Sequence, residues 1–540
     1  MFVLFVLIGA ALAPAAFAAP VVFRVGTTSD YDSLNPFVGF KPLSYELWHL
    51  NYDSLVTIDP STMAPAPSLA QSWSTSAGGK TWTFHLRHDV KWQDGKRLTA
   101  ADVAFTYNQI IKRRLSSFAQ YTRGIDHATA VDAYTVRLVC TRPKADMLSV
   151  WIPILPKHIW SGKSFLRFRN SPPIVGSGPY QVVAAVKNSY VNLKSSPGYW
   201  GGAHSIGTLL FFHFANSDMM VQDLRAGNID VADDIPAALY DQLTATPGLT
   251  TLRGDQLGYD YLSFNCFASS HSKGNPVLRR ADFRAALDWA VDRDAIVTQG
   301  YGGVARPADS VITSEFFQSP DWHWSPLPGE ARGFDIDHCK QLLDAGGYTD
   351  TNGDSWREYR GTTIALRLFT RSASPSSQAA GDLIRGWFQQ AGVKVRITVM
   401  DDGVLSDRIY NFAGDGYAPN FDMFIWSWYT EFDPNFALNL FRTSQIMNWS
   451  DCLYSNPQYD QLYAQQNRTL DPVARKTLID QMQQILYRDS PYLVLTYPVK
   501  LQAYDSAHWQ GWVRTPSAGG CVVLTPTSQI DSYLSVHPAP

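Results

Sequence analysis

A polar segment near residue 350 carries oxygen-bearing side chains at alternate positions. Asp350, Asn352 and Asp354 are followed by Glu358. Carboxylate and amide oxygens at such a spacing are typical of calcium-binding loops. Ser355, however, stands where such a loop has its glycine. We expect no metal site, with calcium at these four residues as the alternative to a simple polar turn between a helix and a strand.

Signatures of hydrolytic enzymes are missing from the sequence. It contains neither the GxSxG nucleophile motif nor the HExxH zinc motif. His85 and His88 are three residues apart in a strand-like segment, whereas helical zinc ligands would be four apart. Gly79-Lys80-Thr81 resembles the end of a phosphate-binding loop, but Ser74 replaces the required upstream glycine. We therefore expect no catalytic residue and no cofactor, and a secreted hydrolase is the alternative from another functional class.

Strands and helices are predicted to alternate along the chain. Residues 81–87 alternate between apolar and polar side chains, which indicates a half-buried strand. The same alternation predicts strands over 134–140, 364–368 and 393–399. Apolar residues three or four apart predict four helices. One begins at a capping box at Thr99, one spans 283–299, one ends at Gly392, and one runs from Asp471 to Ser490. This order indicates an α/β protein.

Composition and charge exclude several classes of protein. The 540 residues are 45% hydrophobic and 17% charged, which is typical of globular proteins. With 45 Lys and Arg against 48 Asp and Glu, the net charge of −3 leaves no basic surplus for binding nucleic acid. The aromatic content of 13% can supply both a core and the walls of a ligand cleft.

The N-terminal residues have the features of a secretory signal. Residues 2–18 are apolar and end in Ala16-Phe17-Ala18, a small-x-small cleavage pattern, although no basic residue precedes them. We predict a signal peptide over residues 1–18. The sequence has no cysteine near the cleavage site that could carry a lipid anchor. No later segment is apolar enough to span a bilayer. We therefore expect a periplasmic protein without a membrane anchor.

Cysteine usage gives no metal or redox motif. There is no CxxC pair, and the odd number of cysteines leaves at least one thiol outside any disulfide within the chain. The five positions are Cys140, Cys266, Cys339, Cys452 and Cys521. Their connectivity cannot be deduced from their spacing.

Several segments, taken in order from about residue 22 to 505, resemble the extracellular solute-binding proteins of family 5. These proteins bind peptides, oligopeptides or nickel and feed ATP-driven importers. The longest similar segment spans residues 69–110 and includes the strand over 81–87 and the Thr99 capping box. The other similar segments are 33–36, 176–180, 261–265, 283–294, 343–348, 456–460 and 489–491.

The resemblance implies an α/β protein with the two-lobed, type II fold of periplasmic binding proteins. Lobe I would be discontinuous and comprise residues 19–55, 175–268 and 498–540. Residues 56–174 would form a subdomain inserted in it, and residues 269–497 would form lobe II. Two crossings near residues 268 and 497 would form a hinge that closes the lobes over the ligand.

The function implied by the resemblance is that of the periplasmic binding component of an ABC importer. The expected ligands are di- and oligopeptides, delivered to permease subunits in the inner membrane, and the expected state is a monomer that binds no nucleic acid. An oligosaccharide, a nickel chelate, an opine or a haem is the alternative cargo for the same role.

The resemblance also suggests where a peptide's amino group would bind. Peptide-binding members have an acidic residue three positions after a tryptophan in lobe II. Here Glu431 lies three residues after Trp428, and Asp433-Pro434 comes one residue earlier than in the usual pattern. Trp428 itself is expected to form an aromatic wall of the ligand site. Either acid, or neither, could serve as the anchor, and Asp433 could instead cap a helix that begins at Pro434.

Four further positions are implied to contact the ligand. Tyr259, Tyr261 and Asn265 would lie at the first crossing between the lobes, and Tyr121 would reach the ligand from the inserted subdomain. An aromatic residue in a strand can equally belong to the core.

Overall fold

The computed structural model describes residues 20–115, 118–149, 151–314, 321–413, 416–525 and 528–540. The predicted signal peptide at residues 1–18 lies outside this range. Among the described helices, none is both long and apolar enough to cross a membrane.

The strands range from two to fourteen residues in length. In chain order they are β1 (Val22–Thr27), β2 (Val56–Ile58), β3 (Pro65–Pro67), β4 (Ala70–Thr75), β5 (Thr81–Leu86), β6 (Ile125–Ala130), β7 (Thr135–Cys140), β8 (Tyr180–Val186), β9 (Tyr190–Ser195), β10 (Thr208–His213), β11 (Val231–Ala232), β12 (Leu249–Asp255), β13 (Gly258–Phe264), β14 (Ala305–Pro307), β15 (Glu358–Tyr359), β16 (Thr362–Thr363), β17 (Ala365–Arg371), β18 (Lys394–Met400), β19 (Phe412–Ala413), β20 (Gly416–Tyr417), β21 (Met423–Tyr429), β22 (Tyr492–Asp505), β23 (Trp509–Gln510) and β24 (His537–Pro538).

The helices connect and cover these strands. In chain order they are α1 (Pro42–Asn51), α2 (Ala100–Arg113), α3 (Phe118–Tyr121), α4 (Lys157–Trp160), α5 (Ser217–Arg225), α6 (Ala237–Thr244), α7 (Ala281–Asp288), α8 (Arg293–Ala295), α9 (Ile336–Ala345), α10 (Pro375–Gln390), α11 (Asp402–Ile409), α12 (Asn435–Asn439), α13 (Pro457–Gln466), α14 (Pro472–Asp489) and α15 (Asp531–Ser535).

One long strand joins the two halves of the main sheet. The described residues form a twelve-stranded sheet with the order β18-β17-β21-β13-β22-β11-β1-β10-β9-β8, and β12 and β14 also pair with β22. The first residues of β22 pair with β13, whereas its residues from Val499 onward pair with β12. The change of partner occurs at Pro498, whose carbonyl accepts a hydrogen bond from Gln256 N. This strand therefore belongs to both halves of the sheet.

A smaller sheet, β4-β5-β7-β6, packs with α2. In β5, Trp82, Phe84 and Leu86 are buried while His85 is exposed, which confirms the predicted half-buried strand. Helix α2 begins with the predicted capping box, in which the Asp102 carboxylate accepts a hydrogen bond from Thr99 N at 2.9 Å.

Most of the other predicted elements are confirmed, and one is wrong. Strands β7, β17 and β18 and helices α10 and α14 lie where alternation and helical spacing predict them. The single helix predicted over 283–299 is instead broken after Asp288. The Asp288 carboxylate binds Arg293 and Arg332 at 2.6 and 3.0 Å, and Asp292 caps a new helical turn through Ala295 N. These side-chain bonds favour a turn where apolar periodicity predicts a continuous helix.

A glycine turn before β8 packs against the end of α1. A Cβ atom at Gly176 would lie 1.7 Å from Asn51 O, and one at Gly178 would lie 2.5 Å from Leu50 O. Gly178 N also donates a hydrogen bond to Asn51 O at 3.0 Å. Only glycine permits this approach, because the opposing atoms belong to the backbone and cannot move aside.

We predict that Gly176→Ala lowers the free energy of unfolding by about 2 kcal/mol or more, because the new methyl group forces two backbones apart. Gly78→Ala is the matched control, since a Cβ atom at Gly78 would meet no atom within 4 Å. Urea unfolding of both variants measures the effect. Equal stability of the two variants would show that the close approach is not needed.

Candidate functional site

A cavity of about 690 Å³ lies beside the point where β22 changes partners. This volume is in the range of small-ligand sites. Pro498, Val499 and Lys500 of β22 form part of its wall. Among the described residues, the remaining wall comes from α1 and the segment before it, β2, α3 with Gln120 and Tyr121, and the end of β21 with the residues after it. Further lining residues are Leu148, Ser149, Trp151, Asp234, Gln256, Leu524, Thr525, Ser528 and Gln529.

Two of the predicted site residues meet at this cavity. Tyr121, the last residue of α3, donates a hydrogen bond to the carboxylate of Glu431, which follows β21. Burial raises the pKa of Glu431 to about 7, and the negative charges of Asp433 and Asp146 add to this rise. The Tyr121 hydroxyl, by contrast, lowers the pKa of Glu431. The carboxyl group therefore gains or loses its proton near neutral pH.

The charged groups behind Glu431 are paired with one another. Arg475 donates to both carboxylate oxygens of Asp433, at 2.6 and 2.7 Å, and both side chains are buried. Lys144 donates to Asp146 at 2.8 Å, again between buried side chains. These ion pairs form a neutral layer behind the cavity wall.

Asp433 is therefore held by bonds that do not face a ligand. Besides its pair with Arg475, its carboxylate accepts a hydrogen bond from Asn435 N at 2.9 Å, at the start of α12. The structure places Asp433 beneath the wall and Glu431 at the wall.

The other side of the cavity carries Lys500 and Asp234. The Lys500 ammonium donates to the buried carboxylate of Asp233 at 3.1 Å. Burial by itself would lower the pKa of Lys500, but the neighbouring acidic groups, Asp233 first among them, together outweigh burial and raise that pKa. Asp234 is exposed to the cavity. The surrounding protein displaces part of the hydration of this carboxylate and raises the pKa of Asp234 to about 6.

Aromatic rings form much of the remaining wall. The ring of His49 stacks on Trp151 with 3.5 Å between centroids, and its Nδ1 lies 2.8 Å from Tyr45 O. Burial lowers the pKa of His49 to about 3, so that this ring is neutral at physiological pH. Further rings that line the cavity are Phe40, Phe118, Tyr429, Phe432 and Phe436.

The structure does not bring the other predicted site residues to this cavity. Trp428 Nε1 donates to Tyr492 OH at 3.2 Å, and the Trp428 ring packs with Phe436 and Trp449. Tyr259 and Tyr261 are fully buried. Tyr261 OH donates to Asp451.

The side chain of Asn265 is hydrogen-bonded to the surrounding backbone. Its side-chain amide donates to Phe421 O at 2.9 Å and accepts from Phe267 N at 3.1 Å. These contacts hold the loop after β13 in place, and Asn265 is not among the described residues that line the cavity.

Sequence reasoning missed several residues of the cavity, among them Lys500, Asp234 and the His49–Trp151 pair. Lys500 lies three residues after the predicted crossing near residue 497. Its closeness to that crossing would have identified it as a candidate cavity residue. No sequence pattern connects Asp234 or His49 with the cavity, because the pairing of β22 with β11 and β12 and the packing of α1 bring them there.

The segment considered for calcium is a polar turn. Asp350 accepts backbone hydrogen bonds from Gly353 and Ser355 at 2.7 and 2.8 Å, and Asn352 accepts one from Asp354. Glu358 accepts a hydrogen bond from the hydroxyl of Thr351. Within the described ranges, no three His, Cys, Asp or Glu side chains are grouped to hold a metal ion. The five cysteines are free thiols in the structure.

Comparison with known proteins places the chain in a family. The profile of "Bacterial extracellular solute-binding proteins, family 5 Middle" matches residues 64–449. The chain belongs to this family. It is 26% identical over 522 residues to the glutathione-binding protein GsiB of Salmonella paratyphi A, with 94% of each chain covered.

Solved structures show the same fold. The oligopeptide-binding protein AppA of Bacillus subtilis, in complex with a nonapeptide, aligns with a TM-score of 0.75 and 20% identity over 97% of this chain and 100% of AppA. DppA of Helicobacter pylori, in complex with the peptide STSA, aligns with a TM-score of 0.73 and 22% identity over 96% and 98% of the two chains. The two-lobed α/β fold implied by the sequence resemblance is thereby confirmed. All of the relatives named here are binding proteins rather than enzymes.

We predict that Asp433→Asn lowers the free energy of unfolding by about 3–5 kcal/mol, because it leaves the buried Arg475 guanidinium without its counter-charge. Asp382→Asn is the matched control, since Asp382 pairs with Arg385 at the surface. That exposed pair contributes less than about 1 kcal/mol. Urea unfolding gives both values, and a D433N variant as stable as D382N would contradict the structural role of Asp433.

Proposed function

We propose that this protein is the peptide-binding component of an ABC importer. In this role it captures short peptides between its lobes in the periplasm, after removal of residues 1–18, and presents them to permease subunits in the inner membrane. Membership in the solute-binding family supports the transport role, and the peptide complexes of AppA and DppA support the ligand class. The peptide leaves the cavity chemically unchanged.

The observation that carries the proposal is the carboxylate of Glu431. It lies at the cavity wall with the hydroxyl of Tyr121 as its hydrogen-bond donor, and the cations behind it are paired with Asp433 and Asp146. A peptide's α-ammonium group supplies the missing positive charge. Such a charge-assisted hydrogen bond contributes about 1.5–3 kcal/mol.

The rest of the cavity suits a ligand whose side chains vary. The rings of Phe40, Tyr429 and Phe436 offer apolar contact to a side chain of any shape. Polar lining residues such as Gln256 and Thr430 can bond to the peptide backbone directly or through water. A peptide held through its backbone and amino terminus needs no fixed side-chain sequence.

We further propose that the hinge lies at the two chain crossings beside the cavity. The first crossing is at Gln256, between β12 and β13, and the second is at Pro498 within β22. The first is twelve residues earlier than the boundary at 268 that the sequence predicts, and the second adjoins the predicted boundary at 497. Closure about these crossings moves residues 429–436 relative to α1 and α3.

We expect Glu431→Gln to weaken the binding of short peptides about 10- to 100-fold, since the neutral amide cannot neutralise an ammonium group. The control variant is Glu330→Gln, which removes an exposed carboxylate away from the cavity. Isothermal titration calorimetry with a tripeptide measures both affinities. If E431Q and E330Q bind the tripeptide equally well, Glu431 is not the anchor.

Peptide affinity should also depend on pH through the same group. The bound ammonium needs an ionised Glu431, and the pKa of this carboxyl group in the empty protein is about 7. Tyr121, Asp433, Asp146 and Lys144 set this pKa together with burial. Below that pKa the carboxyl group must lose a proton on binding, so affinity falls as pH falls.

We expect about 20-fold weaker binding at about pH 5.5 than at about pH 7.2. Calorimetry across this range, in buffers of different ionisation enthalpy, measures both the affinity and the proton release. In E431Q this component of the pH dependence should disappear. An unchanged pH profile in E431Q would assign the titration to another group.

A further inference from the structure

We infer that the cavity selects peptides with a net positive charge and places a basic side chain of the ligand near Asp234. This inference rests on the proposed function and adds a ligand class to it. It follows from the balance of charges around the cavity.

One side of the cavity has more acids than bases. Lys500 is the single Lys or Arg among the described residues that line it. Its ammonium group is held at 3.1 Å by Asp233, which is buried and also accepts a hydrogen bond from the hydroxyl of Thr27 at 3.1 Å. Asp234, the next residue, faces the cavity as a second acid. Two carboxylates thus share one cation on this side.

The Glu431 side has an unbalanced acid as well. The pairs Asp433–Arg475 and Lys144–Asp146 cancel their own charges, so the net charge of this wall comes from Glu431. His49 adds no positive charge, because its ring is neutral. With both sides counted, the cavity is net negative before a ligand enters.

A further acid lies behind the wall to which Leu524 and Thr525 belong. Glu46 is fully buried and accepts hydrogen bonds from Leu524 N at 3.0 Å and Tyr533 OH at 2.7 Å. Neither donor is a cation. Burial raises the pKa of Glu46 to about 7, against the opposing effects of these two hydrogen bonds and of the Lys500 charge, so this carboxyl group contributes only part of a negative charge near neutral pH.

This potential discriminates between ligands. The α-ammonium group bonds to Glu431, and a lysine or arginine side chain of the ligand gains Asp234 as a partner. An acidic side chain meets carboxylates on both walls, and the one lining cation is already engaged by Asp233. Charge effects of this kind are stronger beside a protein wall than in bulk water, and repulsion contributes to specificity as well as attraction.

Glutathione, the ligand in the names of the curated relatives, carries one ammonium and two carboxylate groups. It has the charge pattern that this cavity disfavours. We infer that the cavity discriminates against glutathione because Lys500, its one lining cation among the described residues, is already paired with Asp233, and not because glutathione is too large.

Three tripeptides of equal length test the inference, namely alanyl-lysyl-alanine, alanyl-leucyl-alanine and alanyl-glutamyl-alanine, with reduced glutathione as a fourth ligand. Calorimetry with the mature protein at neutral pH and low salt measures their affinities. We expect the lysine peptide to bind at least tenfold more tightly than the glutamate peptide and than glutathione. Added salt should narrow this difference, because it screens charge.

Asp234→Asn should reduce the preference for lysine over glutamate at least threefold. The matched control is Asp241→Asn, which removes one exposed negative charge from α6 outside the cavity and should leave the preference unchanged. Equal melting temperatures of the two variants confirm that both are folded.

Equal binding of the lysine and glutamate peptides, tight binding of glutathione, or a preference that D234N leaves unchanged would overturn the inference while leaving peptide binding in place. The absence of binding by all of the peptides would overturn the proposed function, and the inference with it.

Discussion

A carboxylate largely removed from water with no cation bonded to it is costly, and Glu431 is such a group. Its raised pKa expresses that cost, and the Tyr121 hydroxyl compensates for part of it. The cations nearby relieve little of this cost, because Arg475 and Lys144 are bonded to other acids, and Lys144 lowers the pKa of Glu431 by less than Asp433 or Asp146 raises it. Under the proposed function, a ligand that brings an ammonium group removes this cost.

The two walls of the cavity are held in place by different parts of the chain. Strand β22 carries Lys500 through the centre of the main sheet, where it pairs with strands of both halves. The glycine turn at Gly176 packs against the end of α1, and His49 of this helix lines the cavity. The cavity thus lies beside the crossings that we propose as the hinge, an arrangement suited to rigid lobes that move as units.

Local patterns predicted local structure well. The alternation of Trp82, Phe84 and Leu86 and the capping box at Thr99 depend on neighbours in the sequence, and the structure confirms both. The helix predicted over 283–299 was wrong because three charged side chains, and not apolar spacing, decide where α7 ends. A periodicity argument cannot detect an ion pair between Asp288 and an arginine 44 residues away.

The site was only partly predictable for the same reason. Family resemblance pointed to Glu431 and Tyr121, which the structure brings together across 310 residues. It equally pointed to Asp433, Tyr259 and Tyr261, whose side chains are buried in the protein and do not line the cavity. Lys500 and Asp234 reach the cavity through sheet pairing, which a single sequence does not reveal.

A crystal structure of the mature protein with a bound tripeptide tests the central claim most directly. The account places the peptide in the cavity beside β22, with its α-amino nitrogen at hydrogen-bond distance from the carboxylate of Glu431 and the hydroxyl of Tyr121 still in contact with that carboxylate. A peptide bound with its amino group directed away from Glu431, or bound outside this cavity, would contradict it.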